Sequence, residues 1–222
     1  MNYIYISLIL IMNTFMSVQE KPTRLIYVGD PMCSWCYGFA PELDEIQKSY
    51  PDLEFKVILG GLRPYGTETM SDLNGFLEHH WEDVAKASGQ PFSYEILKDA
   101  EFIYDTEPAS RAVVVARCMN ADIEFEFFKA VQHAFYAENE NTTELKTFLG
   151  IAKSFDLDEN MFAALYESLE VINEVKADFQ MSQKMGIRGF PALVLQDNEG
   201  YTLISKGYMK AKYINEMIGE NL

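Results

Sequence analysis

Two cysteines, Cys33 and Cys36, stand two residues apart in the stretch DPMCSWCYGFAP. A pair at this spacing can form a disulfide staple, clip a metal ion or cycle between dithiol and disulfide. The chain has only one other cysteine, Cys118, too few for a disulfide framework or an all-cysteine zinc site. Its three histidines, His79, His80 and His133, lack ligand-like spacing to the cysteines, so no metal is expected. A staple is the weaker reading, because closing so small a loop removes little entropy from the unfolded chain. Redox chemistry is the reading that the pair favours.

That chemistry needs a place that tolerates a negative sulfur. The run Arg24–Val28 (RLIYV), ended by Gly29-Asp30-Pro31, reads as a buried strand with a turn after it. Beyond the turn, Cys36, Phe39, Ala40, Leu43, Ile46 and Tyr50 trace one face of a helix, with Pro41 expected to kink it. The pair therefore opens a helix, where unpaired backbone amides and the helix dipole favour an anion. Cys33 is the expected nucleophile, since thiolate and not thiol attacks a disulfide. Cys36, one turn further in, is the expected resolving thiol.

Phe55–Leu59 (FKVIL) is a second strand, and a strand, helix and strand in so short a span make a parallel βαβ unit. Residues 65–185 carry no strand signal. Helices are expected over Ser71–Ala87, Ser110–Met119, Glu124–Ala137, Thr142–Phe155, Leu157–Ser168 and Val171–Met185, with cap signatures at Asn141/Glu144 and Asp156/Glu159. The segment GIRGFP then breaks the helix before strands Ala192–Leu195 and Thr202–Ser205 and a final helix over Lys210–Ile218. The order β-α-β, helical block, β-β-α predicts an α/β thioredoxin-like fold with a large helical insertion. Residues 24–64 and 170–222 form the thioredoxin-like part, 65–169 the inserted helical domain, and 1–23 an N-terminal segment. The carboxyl ends of the first two strands share a sheet edge. Gly60-Gly61-Leu62-Arg63-Pro64 therefore emerges near Cys33, as does Phe190-Pro191 if the third strand runs antiparallel.

Hydrophobic residues at 48% supply a packed core, and a net charge of -16 excludes nucleic acid and anionic membrane surfaces as partners. The apolar run Tyr3–Met12 is too short to span a bilayer. It lacks the positive flank and small-residue cleavage site of a signal peptide. With Met16 as the natural start the chain is expected in the cytoplasm; with a working signal, in the periplasm.

DPMCSWCYGFAP together with GIRGFPALVL resembles the DsbA-like branch of the thioredoxin superfamily, most closely its FrnE-type members, over residues 24–222. GGLRP and TEPASRA add weaker likeness. The resemblance implies a thiol–disulfide oxidoreductase with no cofactor beyond the Cys33–Cys36 pair. Its partners would be cysteine-containing polypeptides or small thiols such as glutathione. It also implies that Pro191 is a cis-proline facing the sulfurs, with Phe190 offering backbone groups to an extended substrate. Ser34 and Trp35 replace the Pro-His of DsbA and the Gly-Pro of thioredoxin. Without a histidine between the cysteines, a couple less oxidising than DsbA is expected. Trp35 presents a surface for peptide or packs against the insertion. Arg63 is read as a substrate-carboxylate or thiolate partner, or as a solvated loop residue. Asp30 serves a turn or relays a proton, Arg111 faces the groove or pairs at the surface, and Cys118 is expected buried and inert. Two rivals remain: a glutathione-binding isomerase or transferase of the kappa-class type, and a chaperone-like binding module.

Overall fold

The computed structural model describes residues 23–222, apart from the Asn74 side chain. The two readings of the N-terminal segment lie outside them. Strand β1 (Arg24–Gly29) leads into α1 (Ser34–Ser49) and β2 (Glu54–Leu59). Helices α2 (Met70–Ser88), α3 (Glu107–Met119), α4 (Glu124–Tyr136), α5 (Leu145–Ser154), α6 (Glu159–Tyr166) and α7 (Leu169–Lys184) follow, with short 3-10 turns at Glu95–Lys98 and Ala121–Ile123. The chain closes with β3 (Ala192–Gln196), β4 (Tyr201–Lys206) and α8 (Ala211–Gly219). The sheet order is β2-β1-β3-β4, with β1 and β2 parallel and β3 antiparallel to both neighbours. This is the thioredoxin-like arrangement.

Alternation along β1 splits the interior. Leu25 and Tyr27 enter the large core shared with the helical insertion. Ile26 and Val28 enter a smaller core with Ile58, Ile187, Ala192 and Val194 on the other face. Both faces are covered, so β1 reads as a continuous apolar run.

Local starts differ from expectation in three places. Helix α3 begins at Glu107, three residues early, because Pro108 already has helical φ and lacks only an amide the first turn cannot use. Asn141 binds Thr143 and Glu144 side by side, but the helix starts later, at Leu145. Asp156 has φ 56° and follows the end of α5; Asp158 caps α6 instead, accepting from the Met161 amide at 2.7 Å. Thr69 with Asp72 forms a capping box on α2 that the pattern reading missed. Helix α1 continues across the exposed Pro41 to Ser49.

Candidate active site

The register sets the site. Gly29 pairs with Leu59 across the parallel strands, and Val28 with Ala192 across the antiparallel pair. The turn before Cys33, the loop after β2 and the Phe190-Pro191 segment thus meet at one sheet edge.

Cys33 occupies the N-cap position of α1, in extended conformation, where a Ser or Asp oxygen commonly binds first-turn amides. No side chain caps this end and no acidic residue stands in the first turn, so an anionic sulfur faces no carboxylate of its own helix. Cys33 is 5% exposed and Cys36 is fully buried, so an incoming thiol reaches Cys33 alone. The Cys33 thiol points at the Phe190 carbonyl, Sγ to O 3.8 Å, and the Phe190–Pro191 peptide is cis. The Gly207 amide donates to the Pro191 carbonyl at 2.7 Å and fixes this turn from β4. Gly60 makes room for the turn: a Cβ there would lie 2.2 Å from the Phe190 ring.

Behind the sulfurs the wall is polar but uncharged apart from Asp30. The Met32 carbonyl accepts hydroxyl hydrogens from Tyr104 and Tyr136, each at 2.6 Å. Both tyrosines come from the helical insertion. Burial raises both phenols, so they remain protonated donors. The buried Asp30 carboxylate accepts from the Met32 amide at 2.9 Å, the Leu62 amide at 2.7 Å and the Thr106 hydroxyl at 3.0 Å. Burial outweighs these three donors and raises its pKa from the ordinary 3.8 to about 6. One carboxyl group thus ties the Cys33 turn, the loop after β2 and the insertion together. Burial and the Cys33 sulfur push the Cys36 thiol up, while the Tyr27 hydroxyl and the Asp30 backbone pull it partly back.

The structure brings Cys33, Cys36, Phe190 and Pro191 to one place, with Ser34 buried in the first turn of α1. Trp35 is half-buried and packs edge-on to His80 of α2 and against Tyr208, with ring centroids 5.8 and 5.6 Å away. Arg63 points elsewhere. Its guanidinium pairs with Glu68, while its backbone exchanges hydrogen bonds with Thr106. Arg111 is neither in the groove nor in a loose surface pair: it holds the buried Glu107 and lies 4.7 Å above the Tyr166 ring. His79 is exposed, His80 stacks on Phe76, and Trp81 is buried. Among the described residues no cluster of three His, Cys, Asp or Glu could hold a metal. Cys118 is exposed, contrary to expectation, because the buried part of α3 ends at Ala116 and Cys118 lies in its last turn. Burial and Glu174 raise its thiol. Sequence reasoning missed Tyr27, Tyr104 and Tyr136, which no motif marks, and gave no role to Thr106, the first residue of TEPASRA.

A cysteine pair at a helix start opposite a cis-proline turn is the arrangement of a thioredoxin-type site. Residues 24–208 match the DSBA-like thioredoxin domain, and the chain belongs to that family. It is similar in structure to a candidate protein disulfide isomerase from Nitrosomonas europaea, with 35% identity, TM-score 0.83 and coverage of 90% of this chain and 97% of that one. The cytosolic disulfide reductase DsbM of Pseudomonas aeruginosa shares the fold at 20% identity and TM-score 0.75, covering 89% and 98% of the two chains. DsbM is also solved with GSH. A curated relative, the ClpXP adapter protein SpxH of Bacillus licheniformis, is 20% identical over 82% of this chain and 61% of its own. The chain thus spans about three fifths of the length of the curated relatives it matches. No helix among the described residues is long and apolar enough to cross a membrane.

Proposed function

We propose that the protein exchanges disulfides through Cys33 and Cys36 with cysteine-containing polypeptides or small thiols. The observation that carries this reading is the Cys33 sulfur at the N-cap of α1, facing the Phe190 carbonyl of the cis turn, with Cys36 sealed beneath it. In the reducing direction the Cys33 thiolate attacks a substrate disulfide, forms a mixed disulfide and releases one substrate thiolate. Cys36, as thiolate, then attacks Cys33 Sγ, releases the second substrate thiolate and leaves the pair oxidised. The oxidising direction is the same path reversed. The Phe190 carbonyl supplies an acceptor for an extended peptide beside the sulfur. Glutathione is a candidate small thiol, supported by the DsbM structure with GSH. Ser34 and Trp35 supply no cation between the cysteines, which supports a couple nearer thioredoxin's roughly -270 mV than DsbA's roughly -120 mV.

The test is dithiothreitol-driven insulin reduction by the wild type and by Cys33→Ser. Loss of activity in the variant is expected. An adapter or chaperone-like role would instead leave partner binding intact in Cys33→Ser with no redox defect, and a glutathione isomerase would keep turning over with serine in place of the thiol. Equilibration in glutathione buffers gives the potential; a value near DsbA's would contradict the argument from Ser34 and Trp35.

A further inference from the structure

The reaction leaves one sulfur without an evident partner. Each time the Cys33–Cys36 bond opens, its electron pair passes to Cys36 Sγ, which is fully buried. A buried anion must find donors or it will not form. No lysine, arginine or histidine is among the main groups acting on Cys36; these are Cys33, Tyr27 and the Asp30 backbone.

Tyr27 has the right placement. Its ring lies in the large core beneath α1, 6.3 Å from Phe39, which follows Cys36 by one helical turn on the same face. Phe125 and Phe128 hold it edge-on at 6.1 and 5.7 Å, so the ring has one seat. Its hydroxyl runs back over the Gly29 backbone. A Cβ on Gly29 would stand 2.4 Å from that oxygen, so the glycine is there to let the hydroxyl pass. The hydroxyl is fully buried, yet in the dithiol form it has no hydrogen-bond partner of proper geometry. A buried hydroxyl left unpaired costs stability, a cost that is relieved in any state that gives it a partner. Of the groups that act on this hydroxyl, Cys36, Cys33 and Asp30, Cys36 acts most strongly and is the one that also acts as a hydrogen-bonding neighbour.

We infer that Tyr27 is the hydrogen-bond donor that accepts no proton and gives none up, but holds the Cys36 sulfur as an anion during disulfide exchange, together with the backbone of Asp30. This rests on the exchange reading above. When a substrate thiolate attacks Cys33 Sγ, the Cys33–Cys36 bond breaks and Cys36 leaves as a thiolate into the Tyr27 O–H. In the reverse step the same held thiolate attacks the mixed disulfide at Cys33 Sγ and expels the substrate thiolate. Burial and the nearby sulfurs keep the Tyr27 proton in place throughout. Tyr27 therefore governs the resolving step and leaves the first attack by Cys33 alone.

The experiment uses the full chain with Cys118→Ala, which silences the exposed third thiol. The reduced protein is mixed rapidly with the aryl disulfide dithiobis-nitrobenzoate. Attack by Cys33 releases one coloured thiolate, and resolution by Cys36 releases a second. Tyr27→Phe keeps the ring and removes only the hydroxyl. The expected first phase stays within about twofold of the parent. The second phase slows roughly three- to tenfold near neutral pH, because lost thiolate outweighs the higher nucleophilicity of what remains. Its pH midpoint moves up, and the denaturation midpoint does not fall, since an unpaired hydroxyl has been deleted. Tyr166→Phe, in the insertion, is the control and moves neither phase. Thiolate absorbance of Cys36 in a Cys33→Ala background, with and without the Tyr27 hydroxyl, gives the same upward shift directly. An unchanged second phase and an unchanged Cys36 titration overturn the assignment, as does equal slowing of both phases. A parent protein with no first phase overturns the exchange reading itself, and this inference with it.

Discussion

Asp30 makes a prediction whose sign and size both follow from the structure. Its carboxyl group is wholly buried, and three donors converge on it, which favours the charged form. Burial opposes them and wins, moving the group from 3.8 to about 6. The folded chain therefore holds a proton that the unfolded chain has lost between these two values. This group's contribution to stability is fully present below about pH 3.8, and it is lost as pH rises through about 6. About two pKa units correspond to about 3 kcal/mol, most of it between pH 4 and neutrality. Solvent screening gives no discount for a group with no exposure. The assay is urea unfolding of the wild type and Asp30→Asn across that range. The variant carries a fixed, pH-independent penalty for turning an amide toward a donor, and other titrating groups cancel in the difference. Wild-type stability relative to the variant should fall by about 2.5 kcal/mol from pH 4 to 7.5. A flat difference would show that the donors balance burial. A difference that rises with pH would show that they defeat it and that the carboxylate is held ionised. Either result refutes the reasoning.

Glu42 behaves in the opposite sense. Lys210 and the Ala211 amide, both at 2.8 Å, hold its carboxylate below the ordinary 4.5 despite burial, so Glu42→Gln should cost about 1–2 kcal/mol at neutral pH. That cost should vanish as acid protonates the wild-type group below its ordinary value, a point that urea midpoints would check. Gly60→Ala would drive a methyl into the Phe190 ring and should cost about 1–3 kcal/mol. Because Phe190 carries the carbonyl facing Cys33, insulin reduction should fall as well; normal activity would mean that the ring swings away without moving the backbone. Native protein with the Cys33–Cys36 pair oxidised should take one iodoacetamide, at Cys118, slowly because burial and Glu174 raise that thiol. Glu174→Gln should speed it, and a mass spectrum showing no label would refute the exposed placement.

How much of this was written in the pattern of residues depends on what kind of contact is asked about. Alternation and helical spacing report which face of an element is buried, and they placed the βαβ unit, the helical block and the ββα end. The CxxC pair and Gly-Phe-Pro report local chemistry, and their meeting follows once the strand directions are fixed. Neither signal tells which distant partner a buried polar group will find. Tyr104 and Tyr136 read as ordinary aromatic core, yet their hydroxyls end on the Met32 carbonyl, 72 and 104 positions away. Arg117 reads as a charged residue in the last turn of α3, yet it joins Glu124 to Asp178 of α7, both at 2.6 Å, and Asp178 in turn receives the Leu59 amide at the end of β2. Cys118 failed for a different reason. Residues 112–116 are all buried, and the apolar run ends at the half-buried Arg117, one residue before Cys118.

The insertion is built into the wall behind the Cys33 turn. Two phenols and the Thr106 hydroxyl are what residues 65–169 place behind the Cys33 turn, all of them neutral donors. A lysine or arginine in the same position would stabilise a buried sulfur anion more strongly, but it would need a permanent counterion in the dithiol state. Neutral hydroxyls carry no such requirement, and with their hydrogens given to the Met32 carbonyl and the Asp30 carboxyl group they hold the turn itself. The buried carboxyl group bonded to Thr106, Asp30, acts against an anionic sulfur. With its pKa raised to about 6, the group that fastens three chain segments together sheds that opposition as pH falls through about 6. The candidate site, in a chain carrying 34 acidic side chains against 18 lysines and arginines, is thereby framed by neutral hydroxyls rather than by compensating cations.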